Sequence, residues 1–91
     1  MTDLRKLTPE TAVVCKRALI ALSRIEPDGM SRAALMDIAQ TGVGRLLTTR
    51  EKDLAFFELK DREWIAGHVN PITGMETWSL THAGADAVPL L

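Results

Sequence analysis

Within one stretch of the chain, Leu54 to Gly84 (LAFFELKDREWIAGHVNPITGMETWSLTHAG), the spacing of apolar residues changes from helical to extended. This change restricts the possible folds more than any other feature. Phe56 and Leu59 recur at helical spacing with Ala55 flanking them, so the stretch opens as a helix. From Trp64 to Leu80 the apolar residues come instead in two short runs containing Trp, Ile and Val. The segment between them is Asn70-Pro71-Ile72-Thr73-Gly74. Pro71 presets a turn dihedral, Asn70 tolerates turn geometry and Gly74 accepts positive φ, which predicts a hairpin with a loop of about five residues. On it, Trp78 and Leu80 share one face and Thr77 and Ser79 the other. Thr81 then caps a short helix through Val88, and Pro89 ends it.

Three helices are expected ahead of the hairpin. Thr8 followed by Pro9 and Glu10 marks a helix start, because threonine caps, proline needs no donor in the first turn, and glutamate suits the positive end. Helix 1 then runs to about Ile25. Its apolar rows are Ala12, Cys15, Leu19, Leu22 and Val14, Ala18, Ala21, Ile25, with Glu10, Lys16, Arg17, Ser23 and Arg24 on the other side. Glu26-Pro27-Asp28-Gly29 is a turn. Ser31 caps helix 2, Arg32 to about Gln40, with Leu35, Ile38 and Ala39 inward and Arg32, Asp37 and Gln40 outward. Thr41-Gly42-Val43-Gly44 breaks it, and Val43, Leu46 and Leu47 are expected to dip into the core. Thr48 and Glu51 form a candidate capping box for helix 3, which reaches about Arg62.

Length and composition bound the function. Ninety-one residues make one small domain, 1–91, of limited stability alone, so a homodimer is expected. Residues 1–7, with Leu4 and Leu7, form either a flexible or a dimerising arm, and the terminal Leu90 and Leu91 are a further apolar contact. No apolar run approaches the roughly 20 residues of a membrane span, and no leader segment is visible, which points to a folded cytoplasmic domain without membrane partners. The single cysteine, Cys15, excludes an internal disulfide and reads as a buried structural thiol. Trp64 and Trp78 are expected in the core of this aromatic-poor chain. His68, Glu76 and His82 lack metal-ligand spacing, and no phosphate loop, Ser-His-Asp order or nucleophile elbow is present. The expectation is therefore a chain that is not an enzyme and holds neither cofactor nor metal.

Charge is unevenly distributed. The net charge is −1, but all eleven basic residues lie at or before Arg62, where they exceed the acids by two. Beyond Arg62 there are only Glu63, Glu76 and Asp86. Helix 3 alternates in sign along most of its length, the pattern of a solvated helix. Its first turn differs: Thr48, Thr49, Arg50 and Lys52, joined by Arg45, concentrate hydroxyls, positive charge and open helix N–H groups suited to phosphates.

Two segments carry a family resemblance: Leu59-Lys60-Asp61-Arg62-Glu63-Trp64-Ile65 ahead of the hairpin, and Leu80-Thr81-His82-Ala83-Gly84 at its end. Together they resemble the end of a winged-helix domain of the MarR/PadR broad type. In that family the recognition helix closes on a leucine, the first wing strand begins GWI or GLI, and the second ends LT-x-x-G. The resemblance covers roughly the last two thirds of the chain and departs at Glu63, where the family usually has glycine. It implies a mainly α fold with a small β-hairpin wing (α+β), a winged helix-turn-helix of three helices, a two-stranded wing and a short C-terminal helix. It also implies a dimeric transcription regulator that binds double-stranded DNA through helix 3. Arg32 on helix 2 would then steady the neighbouring DNA backbone. The wing tip, Asn70, Ile72 and Thr73, has no Lys or Arg, which leaves weak DNA contacts or protein contacts. A second reading follows from the neutral charge and the uncharged wing: a winged-helix module or inhibitor that binds another protein and no DNA.

Overall fold

The computed structural model describes residues 7–91. Expectations for the N-terminal arm lie outside the described residues, except at Leu7, which packs against the core. The elements are α1 (Pro9–Ser23), α2 (Arg32–Ala39), α3 (Thr49–Asp61), β1 (Ile65–Val69), β2 (Glu76–Leu80) and α4 (His82–Ala87). Single 3₁₀ turns follow α2 at Gln40–Gly42 and α4 at Val88–Leu90.

Each α-helix begins where a side chain satisfies open backbone donors. The Thr8 side chain accepts from Thr11 N, that of Ser31 from Ala34 N, and that of Thr81 from Gly84 N. Thr48 and Glu51 make a reciprocal capping box: Thr48 Oγ1 accepts from Glu51 N at 3.1 Å, and Glu51 Oε1 accepts from Thr48 N at 2.9 Å. Helix α1 ends two residues earlier than expected, at Ser23, and leaves Ile25 packed against the core from the following turn. Pro89 does not end the last helix outright, because it fits the first turn of the 3₁₀ segment, where its missing donor costs nothing.

The core lies where α1 crosses the other helices. Val14, Cys15, Ala18, Leu19 and Leu22 of α1 meet Leu35, Met36 and Ala39 of α2, and Ala55, Phe56 and Leu59 of α3. Trp64, Ile65 and Ala87 close it from the hairpin side. On α2, Met36 takes the buried place expected for Ile38, which is 41% exposed. Leu35 and Ala39 fix the centre of the buried arc, and packing on α1 selects the neighbour on one flank rather than the other. Leu46 is 82% exposed, whereas Leu47 is buried and Val43 partly so. Successive side chains of an extended segment point apart, so turning Leu47 inward turns Leu46 out.

Helix α3 passes into β1 through a left-handed residue, as the family pattern demands, but without glycine. Glu63 has φ +60°, Glu63 N donates to Lys60 O, and Trp64 N donates to Leu59 O, both at 3.0 Å. These two bonds form a Schellman end that drops Trp64 into the core. The antiparallel register runs from Ile65↔Leu80 to Val69↔Glu76. Trp78 is half-buried at the core's margin rather than inside it, its ring edge-on to Phe56 with centroids 4.9 Å apart. Met30 N and O bond Trp78 O and N, so the α1–α2 connection adds a one-residue third strand to the hairpin. The start of α4 is pressed against the start of β1: a Cβ on Gly84 would collide with Trp64 O, which gives the glycine of the LT-x-x-G pattern a steric cause.

Candidate nucleic-acid interface

The start of α3 is open to solvent. Thr48, Thr49 and Arg50 are exposed, and the capping box takes up the N–H groups of Thr48 and Glu51. The N–H groups of Thr49 and Arg50 remain without a helical partner and point out of the helix start, where an anion is favoured. Among the described residues Arg50 carries no ion pair. Lys52 lies behind it, its Nζ 3.7 Å from Asp37 Oδ1.

The other two arginines expected here are engaged within the chain. Arg32 Nη2 donates to Asp53 Oδ1 at 2.5 Å, and its guanidinium lies 4.2 Å above the Phe56 ring and 5.5 Å from that of Phe57. It therefore joins α2 to α3 by charge and by cation–π contact, and its side chain remains 42% exposed beside the cleft between the two helices. Arg45 stands between two carboxylates, Glu10 from α1 and Glu51 from α3. Its hydrogen bonds, joined by that from Thr48 N, hold the Glu51 carboxyl down to about 2, and the two glutamates push the guanidinium further above its usual range. The structure thus brings Arg32, Thr49 and Lys52 to one cleft, while the exposed Arg50 is not among the residues that line it. Arg45 faces α1 instead.

At the wing tip, Asn70 Oδ1 accepts from Ile72 N at 2.8 Å and Thr73 N at 3.1 Å, and Thr73 Oγ1 accepts from Met75 N at 3.3 Å. Asn70 and Thr73 shape the turn, while Ile72, 92% exposed, forms its apex with Val69 and Met75 nearby. Sequence reasoning missed the acids Glu10, Asp37 and Asp53 that pair with the cations, and the half-exposed Phe57 beside Arg32 and Lys60. The nearest signal for them was the sign alternation along α3. His68 sits in β1 opposite Thr77, and His82 opens α4. Cys15 is fully buried, and burial pushes its thiol up to about 12. No helix among the described residues is long and apolar enough to cross a membrane.

A helix pair α2–α3 braced by α1, followed directly by a two-stranded wing, defines a winged helix-turn-helix fold. Comparison with known protein families and with curated proteins finds no match in sequence. Two crystal structures of MepR from S. aureus share the fold. A mutant from a multidrug-resistant clinical isolate superimposes with a TM-score of 0.60 at 17% identity, covering 94% of this chain and 56% of that one. The MepR–DNA complex gives 0.57 at 17% identity, covering 94% of this chain and 55% of that one. The chain thus spans just over half the length of these structures.

Proposed function

We propose that this chain is a DNA-binding winged-helix protein acting in transcription regulation, with α3 directed at the major groove. The observation that carries the reading is the unobstructed start of α3, where the free Arg50 stands beside the outward N–H groups of Thr49 and Arg50. Lys52 and the hydroxyls of Thr48 and Thr49 complete a phosphate-facing turn, and Arg32 steadies the neighbouring backbone from α2. The MepR–DNA complex supports the reading as a protein of the same fold bound to DNA. The wing supplies minor contacts, since its tip carries no cation.

Binding to mixed-sequence duplex across a salt series tests this. Replacing Arg50 and Lys52 together with alanine flattens the log–log salt slope by about two units, one for each phosphate no longer neutralised. An unchanged slope overturns the reading. A homodimer in the cytoplasm belongs to the same proposal, using the N-terminal arm or α1 together with the apolar C-terminal residues. An open groove beside α1, lined by Val13, Ile20 and Leu91 but also by the cations Lys16 and Arg17, is the surface that this proposal would use. Sedimentation showing only monomer at about 10–50 μM, a usual weak-interface range, removes it.

A second reading, a protein-binding module, is favoured by one observation: the apex residue Ile72 is almost fully exposed on a wing without cations. It takes over if duplex binding is absent at low salt.

A further inference from the structure

We infer that Glu10 occupies the phosphate-binding edge of Arg45, so that DNA affinity at the α3 start is set by competition between this carboxylate and a backbone phosphate. The inference rests on the DNA-binding reading above. A guanidinium offers five N–H donors, and those of Arg45 are all engaged. Nε and Nη2 donate to Glu10 Oε2 and Oε1 at 3.3 and 2.5 Å. Nη1 and Nη2 donate to Glu51 Oε1 and Oε2 at 3.1 and 2.6 Å, and Nη1 also reaches Leu46 O at 3.3 Å. No donor is left for DNA.

The two carboxylates are not equivalent. Glu51 belongs to the α3 start itself, where its Oε1 also accepts from Thr48 N in the capping box. Glu10 reaches in from the first turn of α1, 35 positions away, and among the described residues its carboxylate bonds to nothing but Arg45. It grips the Nε–Nη2 edge with both oxygens, the fork by which arginine takes a phosphate. Both partners are nearly half exposed, so the pair is weak enough for an incoming phosphate to displace. Removing the Glu10 charge leaves two donors of Arg45 in fork geometry next to the α3 start.

The test compares the full chain with Glu10→Gln, Glu10→Asp, Arg45→Ala and the Glu10→Gln/Arg45→Ala pair on mixed-sequence duplex in a salt series. Glu26→Gln, in the exposed turn after α1, is the control for the same charge change at a distance. Glu10→Gln is expected to tighten binding about fivefold at 0.1 M salt and to steepen the slope by about one unit, as one added phosphate contact does. Glu10→Asp, one methylene short of reaching the Nε–Nη2 edge from α1, tightens binding without a change of charge. Both gains vanish when Arg45 is absent. Equal effects of Glu10→Gln and Glu26→Gln, or a gain that survives Arg45→Ala, overturn the inference. If Glu10→Gln binds like the parent while loss of Arg50 and Lys52 still flattens the slope, the competition falls and the DNA reading stands. If neither the parent nor Glu10→Gln binds duplex, both fall.

Discussion

Glu63 holds a left-handed backbone, φ +60°, at the position where the family pattern has glycine. The conformation costs an L-residue about 1 kcal/mol, and the surrounding bonds enforce it. Glu63 N and Trp64 N close the helix end, Thr81 Oγ1 donates to Glu63 O at 2.6 Å, and Thr81 N donates to Trp64 O at 3.1 Å. Because the Glu63 side chain is exposed, little is lost with it. Glu63→Gly is therefore expected to stabilise the protein by about 0.5–1 kcal/mol and to raise the melting temperature by roughly 3–6 °C. A fall in the melting temperature would show that the carboxylate contributes more than the strain removes. This residue was legible as an exception in the sequence, since the pattern on either side of it required a left-handed step. How the chain resolves the conflict was not fully legible, because two of the four bonds that enforce φ come from Thr81, eighteen residues away.

At the scale of elements, what could be read was what is encoded within one or two turns. The four N-terminal caps at Thr8, Ser31, Thr48 and Thr81 are local hydrogen bonds, and all four are where the sequence signals them. The buried face of α3, Ala55, Phe56 and Leu59, also follows from spacing alone. The inward side of α2 does not. Its eight residues carry apolar side chains over so wide an arc that Met36 and Ile38 are interchangeable until a neighbour is placed. The electrostatic state of the candidate site was equally hidden. Residue type and spacing assembled Arg45, Arg50 and Lys52 at one helix start, but the ion pairs Glu10–Arg45, Asp37–Lys52 and Arg32–Asp53 span different helices or the loops between them. Such pairs depend on packing, so a stretch that reads as positive in sequence is largely neutralised once folded.

The whole molecule gathers one small core from every helix, with Cys15 fully enclosed near its middle and its Sγ 3.9 Å from Ala55 O. Outside the core the charge is segregated: among the described residues every Lys and Arg precedes the wing, and the sequence has none beyond Arg62. On the proposed DNA-binding reading, a duplex would be gripped from the helices rather than from the wing. Cys15 gives a way to follow that grip. A thiol that is buried and held up to about 12 does not react with an alkylating reagent at neutral pH until the core opens. Its labelling is then a clock built into the fold, running at a rate set by the fraction of time the protein is open. A ligand that binds only the closed form slows the clock by the factor 1 + [L]/Kd, so duplex DNA at about 100 times its Kd is expected to slow alkylation roughly a hundredfold. Mass spectrometry of the labelled chain reads this with the native thiol as the only site of labelling. Labelling as fast as that of an unfolded peptide would mean that the core breathes freely around α1, and the thiol would then report nothing about what the outer surface has caught.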